Sequence, residues 1–135
     1  MGLDMNVYAT NGEDLTKEDL YSEEELWQDL NSWYWRKANA VHNWMVENVQ
    51  DGEDDCGVYE VYPNQLMKLK VIVEEILANP KKAPDLLPTA SGFFFGSTEY
   101  DEWYMEDMHL TLKNLNEMLY EHKLDHTRFF YTASW

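Results

Sequence analysis

The sequence predicts an α+β fold, with a small antiparallel sheet of about three strands packed with about four helices in a single domain over residues 1–135. Three observations carry that expectation. Two segments near the ends of the chain alternate apolar and polar residues with a period of two. Three longer segments repeat apolar residues every three to four positions. Pro and Gly punctuate the chain between them, and no internal repeat or low-complexity run interrupts the pattern.

Taken in order, Leu3, Met5 and Val7 alternate with Asp4, Asn6 and Tyr8, which predicts a first strand over 3–9. Asn11-Gly12 is a turn signal, and residues 13–29 are strongly acidic. Ser22 with Glu25 forms a capping box ahead of Leu26, Trp27 and Leu30, so a helix is expected from Ser22. A second helix is predicted over about 33–49. On it Trp35, Ala38, Val41, His42, Met45, Val46 and Val49 share a face, with Arg36, Asn43 and Glu47 opposite. Trp44 falls among the polar positions, so either that side is also covered or Trp44 is displayed.

Residues 50–57 read as an acidic loop and 58–62 as a short strand ended by Pro63. From Asn64, Leu66, Leu69, Ile72, Val73, Ile76 and Leu77 hold core spacing until Asn79-Pro80 stops the helix. Residues 81–88 form a proline-punctuated loop, and Phe93-Phe94-Phe95 between glycines is a buried turn or strand fragment. The last helix runs from Thr98 or Asp101 to His122 on Tyr104, Met108, Leu112, Leu115 and Leu119, capped by Ser97 or Thr98. Residues 127–134 alternate with aromatic and β-branched side chains, a final strand.

The charge bounds the function. With 26 acids against 10 bases the net charge is −16. Nucleic-acid affinity comes mainly from Lys and Arg on phosphates, so direct nucleic-acid binding is not expected, nor is binding to an anionic membrane. A cationic partner is favoured by steering, although many acidic proteins bind nothing by their charge. Cys56 is the single cysteine, which excludes an internal disulfide and a Cys-rich zinc site. No leader pattern and no run of roughly 20 apolar residues is present, so a cytoplasmic location is expected.

Two aromatic-polar cassettes stand out. One is Trp33-Tyr34-Trp35-Arg36-Lys37-Ala38-Asn39-Ala40-Val41-His42-Asn43-Trp44. The other is Ser91-Gly92-Phe93-Phe94-Phe95-Gly96-Ser97-Thr98-Glu99-Tyr100-Asp101-Glu102-Trp103-Tyr104. Rigid aromatics beside Arg, Asn and His are the material of recognition surfaces. Trp35, Arg36, Asn39, His42, Glu99, Tyr100, Asp101 and Trp103 are therefore the candidate binding residues.

Each has a plainer reading. His42 lies on an apolar helix face, where a buried imidazole is satisfied by a carbonyl or carboxylate; the sharper alternative is a site histidine in a strip with Asn39 and Trp35. Arg36 has the fork geometry for a carboxylate or phosphate. The loop Asp51-Gly52-Glu53-Asp54-Asp55 lacks the EF-hand register and reads as a solvated acidic turn. Cys56, flanked by acids that disfavour a thiolate, reads as a small buried residue at a strand start. The second cassette has no Gly-Lys-Ser/Thr ending, and Glu99, Asp101 and Glu102 would block an anion at the helix start, so a phosphate site is rejected there. No Ser-His-Asp arrangement, HExxH motif or His-Cys metal spacing appears. No catalytic residue, metal or cofactor is assigned.

The Met-Gly-Leu-Asp-Met start, Tyr34-Trp35-Arg36-Lys37-Ala38-Asn39 with His42 and Trp44, Asp55-Cys56-Gly57, and the run from Leu86 to Tyr104 resemble a family of small proteins encoded by bacteriophages and prophages. The resemblance covers most of the chain from Met1 to about Leu115. It departs in the acidity of residues 13–29 and in the tail from His122. It implies an origin rather than an activity. A phage origin implies a host-takeover or anti-defence protein acting by stoichiometric binding. The expectation is an inhibitor that engages the basic surface of a host protein, with DNA mimicry as a concrete version. The alternative is a small-molecule or metal-dependent pocket built from Arg36, Asn39, His42, Asp55 and Tyr100. A structural or assembly role through exposed aromatics is a third reading.

Overall fold

The computed structural model describes residues 2–10, 30–92, 96–121 and 127–135. The helix expected from Ser22, the Asn11-Gly12 turn and the Phe93-Phe94-Phe95 fragment lie outside the described residues.

The architecture is α+β, with four strands where about three were expected. The strands are β1 (Asp4–Ala9), β2 (Asn31–Arg36), β3 (Val58–Val61) and β4 (Phe129–Ser134). The helices among the described residues are α1 (Asn39–Asn48), α2 (Pro63–Ala78), the short α3 (Ala83–Leu86) and α4 (Glu102–Glu121). The strand order is β2-β1-β4-β3, with every neighbouring pair antiparallel.

The additional strand comes from residues expected to be helical. Trp33 to Arg36 form β2, not the start of a 33–49 helix. Trp33 and Trp35 point to the core while Tyr34 and Arg36 point out, and Met5↔Trp35 and Val7↔Trp33 set the register against β1. Aromatic side chains suit a half-buried pleated surface. Lys37, at φ 56°, turns the chain out of the strand, and the helix begins two residues later at Asn39.

β4 is central in the sheet. Phe129, Tyr131 and Ala133 join Met5, Val7, Ala9, Trp33 and Trp35 in the main core, while Phe130 faces the other side with Val58 and Leu30. On that second face Phe130 is buried, while Thr132 is half-buried and Ser134 exposed. The core face receives α2, through Leu66, Leu69, Val73 and Ile76, and α4, through Tyr104, Met108, Leu115 and Met118. Trp44 is only 7% exposed, so that side of α1 is covered rather than displayed.

The helix starts are explained by their first residues. Pro63 is the first residue of α2 rather than only a strand stop, since proline's missing N–H costs nothing there. The Gln65 side chain accepts a hydrogen bond from the Tyr62 N–H at 2.8 Å. α4 is capped by Asp101, not by Ser97 or Thr98. Its Oδ1 accepts from the Trp103 and Tyr104 N–H groups, both at 3.1 Å. Within the expected loop 81–88 the chain instead makes a 3-10 turn and α3. No helix of the described residues is long and apolar enough to cross a membrane.

Candidate functional site

The two cassettes, 58 residues apart at the Asn39–Ser97 contact, meet in space. Asn39, only 4% exposed, ties the first cassette to the second and to the residue just before it. Its Nδ2 donates to the Ser97 carbonyl at 2.7 Å, and its Oδ1 accepts from the Ala90 N–H at 3.0 Å. The Thr89 hydroxyl donates to the Thr98 carbonyl at 2.9 Å, closing the base of the second cassette. Gly96 fits against the Lys37 stem. At φ +89° it occupies left-handed backbone, and an added Cβ would lie 3.2 Å from Lys37 Cβ.

Between the cassettes lies a cleft of about 360 Å³. The end of β2 and the first turn of α1 form one wall, with Arg36, Lys37 and Asn39. The other wall is the approach to α4 and its first two turns, with Glu99, Asp101, Trp103, Glu106 and Asp107. Ala38, Val41, Tyr104 and Met108, all nearly without solvent exposure, close the bottom. A small-molecule or side-chain site occupies such concave, largely preformed space.

Five of the eight candidate residues line this cleft: Arg36, Asn39, Glu99, Asp101 and Trp103. The other three have different places. Trp35 is fully buried, and its indole N–H donates to Thr111 Oγ1 at 2.9 Å, tying the sheet to α4. Tyr100 sits behind the cleft, its hydroxyl accepting from the Thr89 N–H at 3.1 Å and its ring 5.1 Å from that of Tyr104. His42 faces away, 1% exposed, with Nδ1 2.6 Å from the Tyr131 hydroxyl and Nε2 2.8 Å from Asp54 Oδ1. It is a core histidine held by a tyrosine and a carboxylate, the plainer of its two readings.

The proposed strip of Trp35, Asn39 and His42 is thus not one surface. Arg36 projects to the outer face of the sheet, where Asp4 Oδ1 lies 3.0 Å from its Nη1 and also accepts from the Tyr34 hydroxyl. That hydrogen bond and the Arg36 charge hold the Asp4 carboxyl below its usual range. Burial, first, raises the Tyr104 hydroxyl, which donates to the Leu87 carbonyl at 2.8 Å.

Asp107 is the cleft residue that sequence reading missed. Burial, then the neighbouring charges of Glu106 and Asp101, push its carboxyl up to about 6. In sequence it is one more acid on an acidic helix. Its one signal is its place four residues after Trp103, on the same helix face.

The acidic loop is a solvent-exposed turn, as expected. Asp54 and Asp55 nevertheless have structural partners, since Asp55 accepts from the Gly57 N–H and the Tyr59 hydroxyl. Cys56 corrects the sequence reading: it is exposed, at φ 58°, rather than buried. Among the described residues no group of three or more His, Cys, Asp or Glu is placed to hold a metal ion. No family model, no curated protein and no solved structure matches the chain.

Proposed function

We propose that this chain works by binding: it captures a basic surface of a host macromolecule stoichiometrically, as a phage-type host-takeover or anti-defence inhibitor would. The observation that carries this reading is the convergence of both cassettes on one cleft whose wall bears Glu99, Asp101, Glu106 and Asp107 around an exposed Trp103. Carboxylates gathered on one wall repel one another, and a cation between them relieves that repulsion. The net charge of −16 supplies long-range attraction for a basic surface, and the cleft supplies a fixed point of contact. Nucleic-acid mimicry is one form of the same act, directed at a groove lined by Lys and Arg.

The small-molecule alternative retains support from the size of the cleft, about 360 Å³. Its centre is then Asp107 rather than His42, because His42 is closed off between Tyr131 and Asp54.

The test is capture from a bacterial host by the tagged chain, with nuclease treatment and a salt series, alongside the variant Glu99→Gln/Glu106→Gln/Asp107→Asn. A stoichiometric protein that survives nuclease, is released by salt and is lost by the variant is the expected result. A partner retained equally by the neutralised variant, or a wild-type chain that purifies alone, overturns the reading.

A further inference from the structure

We infer that the cleft between α1 and α4 is a socket for one long aliphatic cation, a lysine or arginine side chain presented by a protein partner. The stem lies over Ala38, Val41 and Met108, and the charged head sits between the Asp107 carboxylate and the Trp103 indole. This rests on the binding role proposed above and names the group that role recognises.

Shape comes first. The bottom of the cleft is apolar and closed, so it accepts methylenes and gives a free ion or a water-filled head group nothing to bond. Lysine and arginine are the side chains with a long apolar stem behind a charge.

The head position is set by two groups. Asp107 is partly buried beside the floor residue Met108, and among the described residues none donates a hydrogen bond to its carboxylate. A desolvated carboxylate held among like charges is out of balance until a cation arrives. Trp103, four residues earlier on α4, is 64% exposed at the mouth of the same cleft. An exposed indole face beside carboxylates is the arrangement that receives an ammonium or guanidinium by cation–π attraction.

The charged groups that line the cleft with Asp107, on its own wall and on the opposite one, decide the sign of the ligand. Glu99, Asp101 and Glu106 share its charge, while Lys37 and Arg36 oppose it. Arg36 is engaged with Asp4 and Tyr34 on the outer face of the sheet. Among the described residues Lys37 is the one opposing group on the cleft wall without such a tie, and its stem lies against Gly96. Four acids against these two bases leave the cleft negative. A protein partner is favoured over a small free amine because the field of a −16 chain acts on every charge of a basic surface, whereas the socket holds one.

The experiment is calorimetric titration of the whole chain with a tri-arginine peptide, its tri-citrulline counterpart and spermidine. Asp107→Asn, Trp103→Ala and Lys37→Gln are compared with Glu74→Gln, an exposed acid on α2 outside the cleft. The expected result is tri-arginine binding that falls about tenfold in Asp107→Asn and in Trp103→Ala, the loss for one desolvated contact of this kind. It changes less than about twofold in Glu74→Gln, as for an exposed, screened charge. It strengthens in Lys37→Gln, and tri-citrulline stays silent.

Equal losses in Asp107→Asn and Glu74→Gln would mean that the general field alone binds the peptide, and would overturn the socket. So would tri-citrulline binding as tightly as tri-arginine. Spermidine binding as tightly as the peptide, with the same Asp107→Asn loss, would overturn the protein source in favour of a free amine. A flat tri-arginine titration beside a captured, salt-released host protein would end the socket and leave the binding role standing. If both fail, the binding role fails with it.

Discussion

Replacing Asn39 by Ala tests whether one buried amide holds the two cassettes together. The side chain is 4% exposed and, among the described residues, makes two hydrogen bonds to segments distant in sequence, at 2.7 Å to Ser97 and 3.0 Å to Ala90. Each contributes about 1 kcal/mol net. The orphaned groups do not carry the full desolvation penalty, because Ser97 is exposed and Ala90 half-buried, so water reaches both. The sum is a loss of about 2 kcal/mol, or a melting point lower by about 6 °C for a domain of this size. Urea unfolding followed by tryptophan fluorescence measures it, with an unchanged slope showing that the compactness of the end states is unaltered. Asn39→Asp does not rescue the loss, since it keeps the acceptor for Ala90 but sets a carboxylate against the Ser97 carbonyl. A loss below about 0.5 kcal/mol would refute the reasoning, because Asn39 would then be an incidental contact of a segment held elsewhere.

Two further outcomes follow from the same geometry. The folded Asp107 carboxyl keeps its proton up to about pH 6, against 3.8 for the ordinary group, so the folded chain binds more protons than the unfolded chain across that window. The contribution of Asp107 to stability therefore falls as pH rises from 3.8 to about 6 and stays unfavourable above it. Asp107→Asn should melt progressively higher than wild type as pH rises through this range, and a difference that does not vary with pH would contradict the assignment. His42→Ala removes a buried ring with partners on both nitrogens and aromatic neighbours at 6.0 and 5.8 Å, so it should cost about 3 kcal/mol. A His42→Ala chain that melts like wild type yet no longer binds would instead make His42 a site residue.

What could be read in the sequence was whatever rests on local pattern. The strand at Asp4–Ala9, α2 with its Leu66, Leu69, Val73 and Ile76 face, and α4 follow from periodicity, and the structure places them within a few residues of expectation. The segment from Trp33 to Arg36 satisfies two periods at once. Trp35 lies on a helical face with Ala38, Val41, His42 and Met45, and also alternates with Tyr34 and Arg36. The decision comes from pairing with β1, about 30 residues away in the chain, which no local pattern contains. His42 is similar: its Tyr131 partner is 89 residues distant.

The cleft was half legible. The cassettes drew attention through their composition, and Arg36, Asn39, Glu99, Asp101 and Trp103 do line it. Their aromatic content did not distinguish the exposed Trp103 from the buried Trp35, which is spent on the core and on Thr111. Asp107 was hidden because what sets it apart is burial beside like charges, a property of the assembled walls rather than of the chain. Cys56 was misplaced for the converse reason. A small thiol before a strand suggests the interior, but the turn that carries it stays in solvent.

The most direct test of the central claim is to watch the backbone amides of the isotopically labelled chain by NMR while a tri-arginine peptide is added. The account predicts saturable shifts concentrated at Lys37 to Val41, Gly96 to Asp101 and Trp103 to Met108, with the Trp103 indole among the largest. Shifts of similar size scattered over the acidic surface, with those three segments no different from α2, would contradict it.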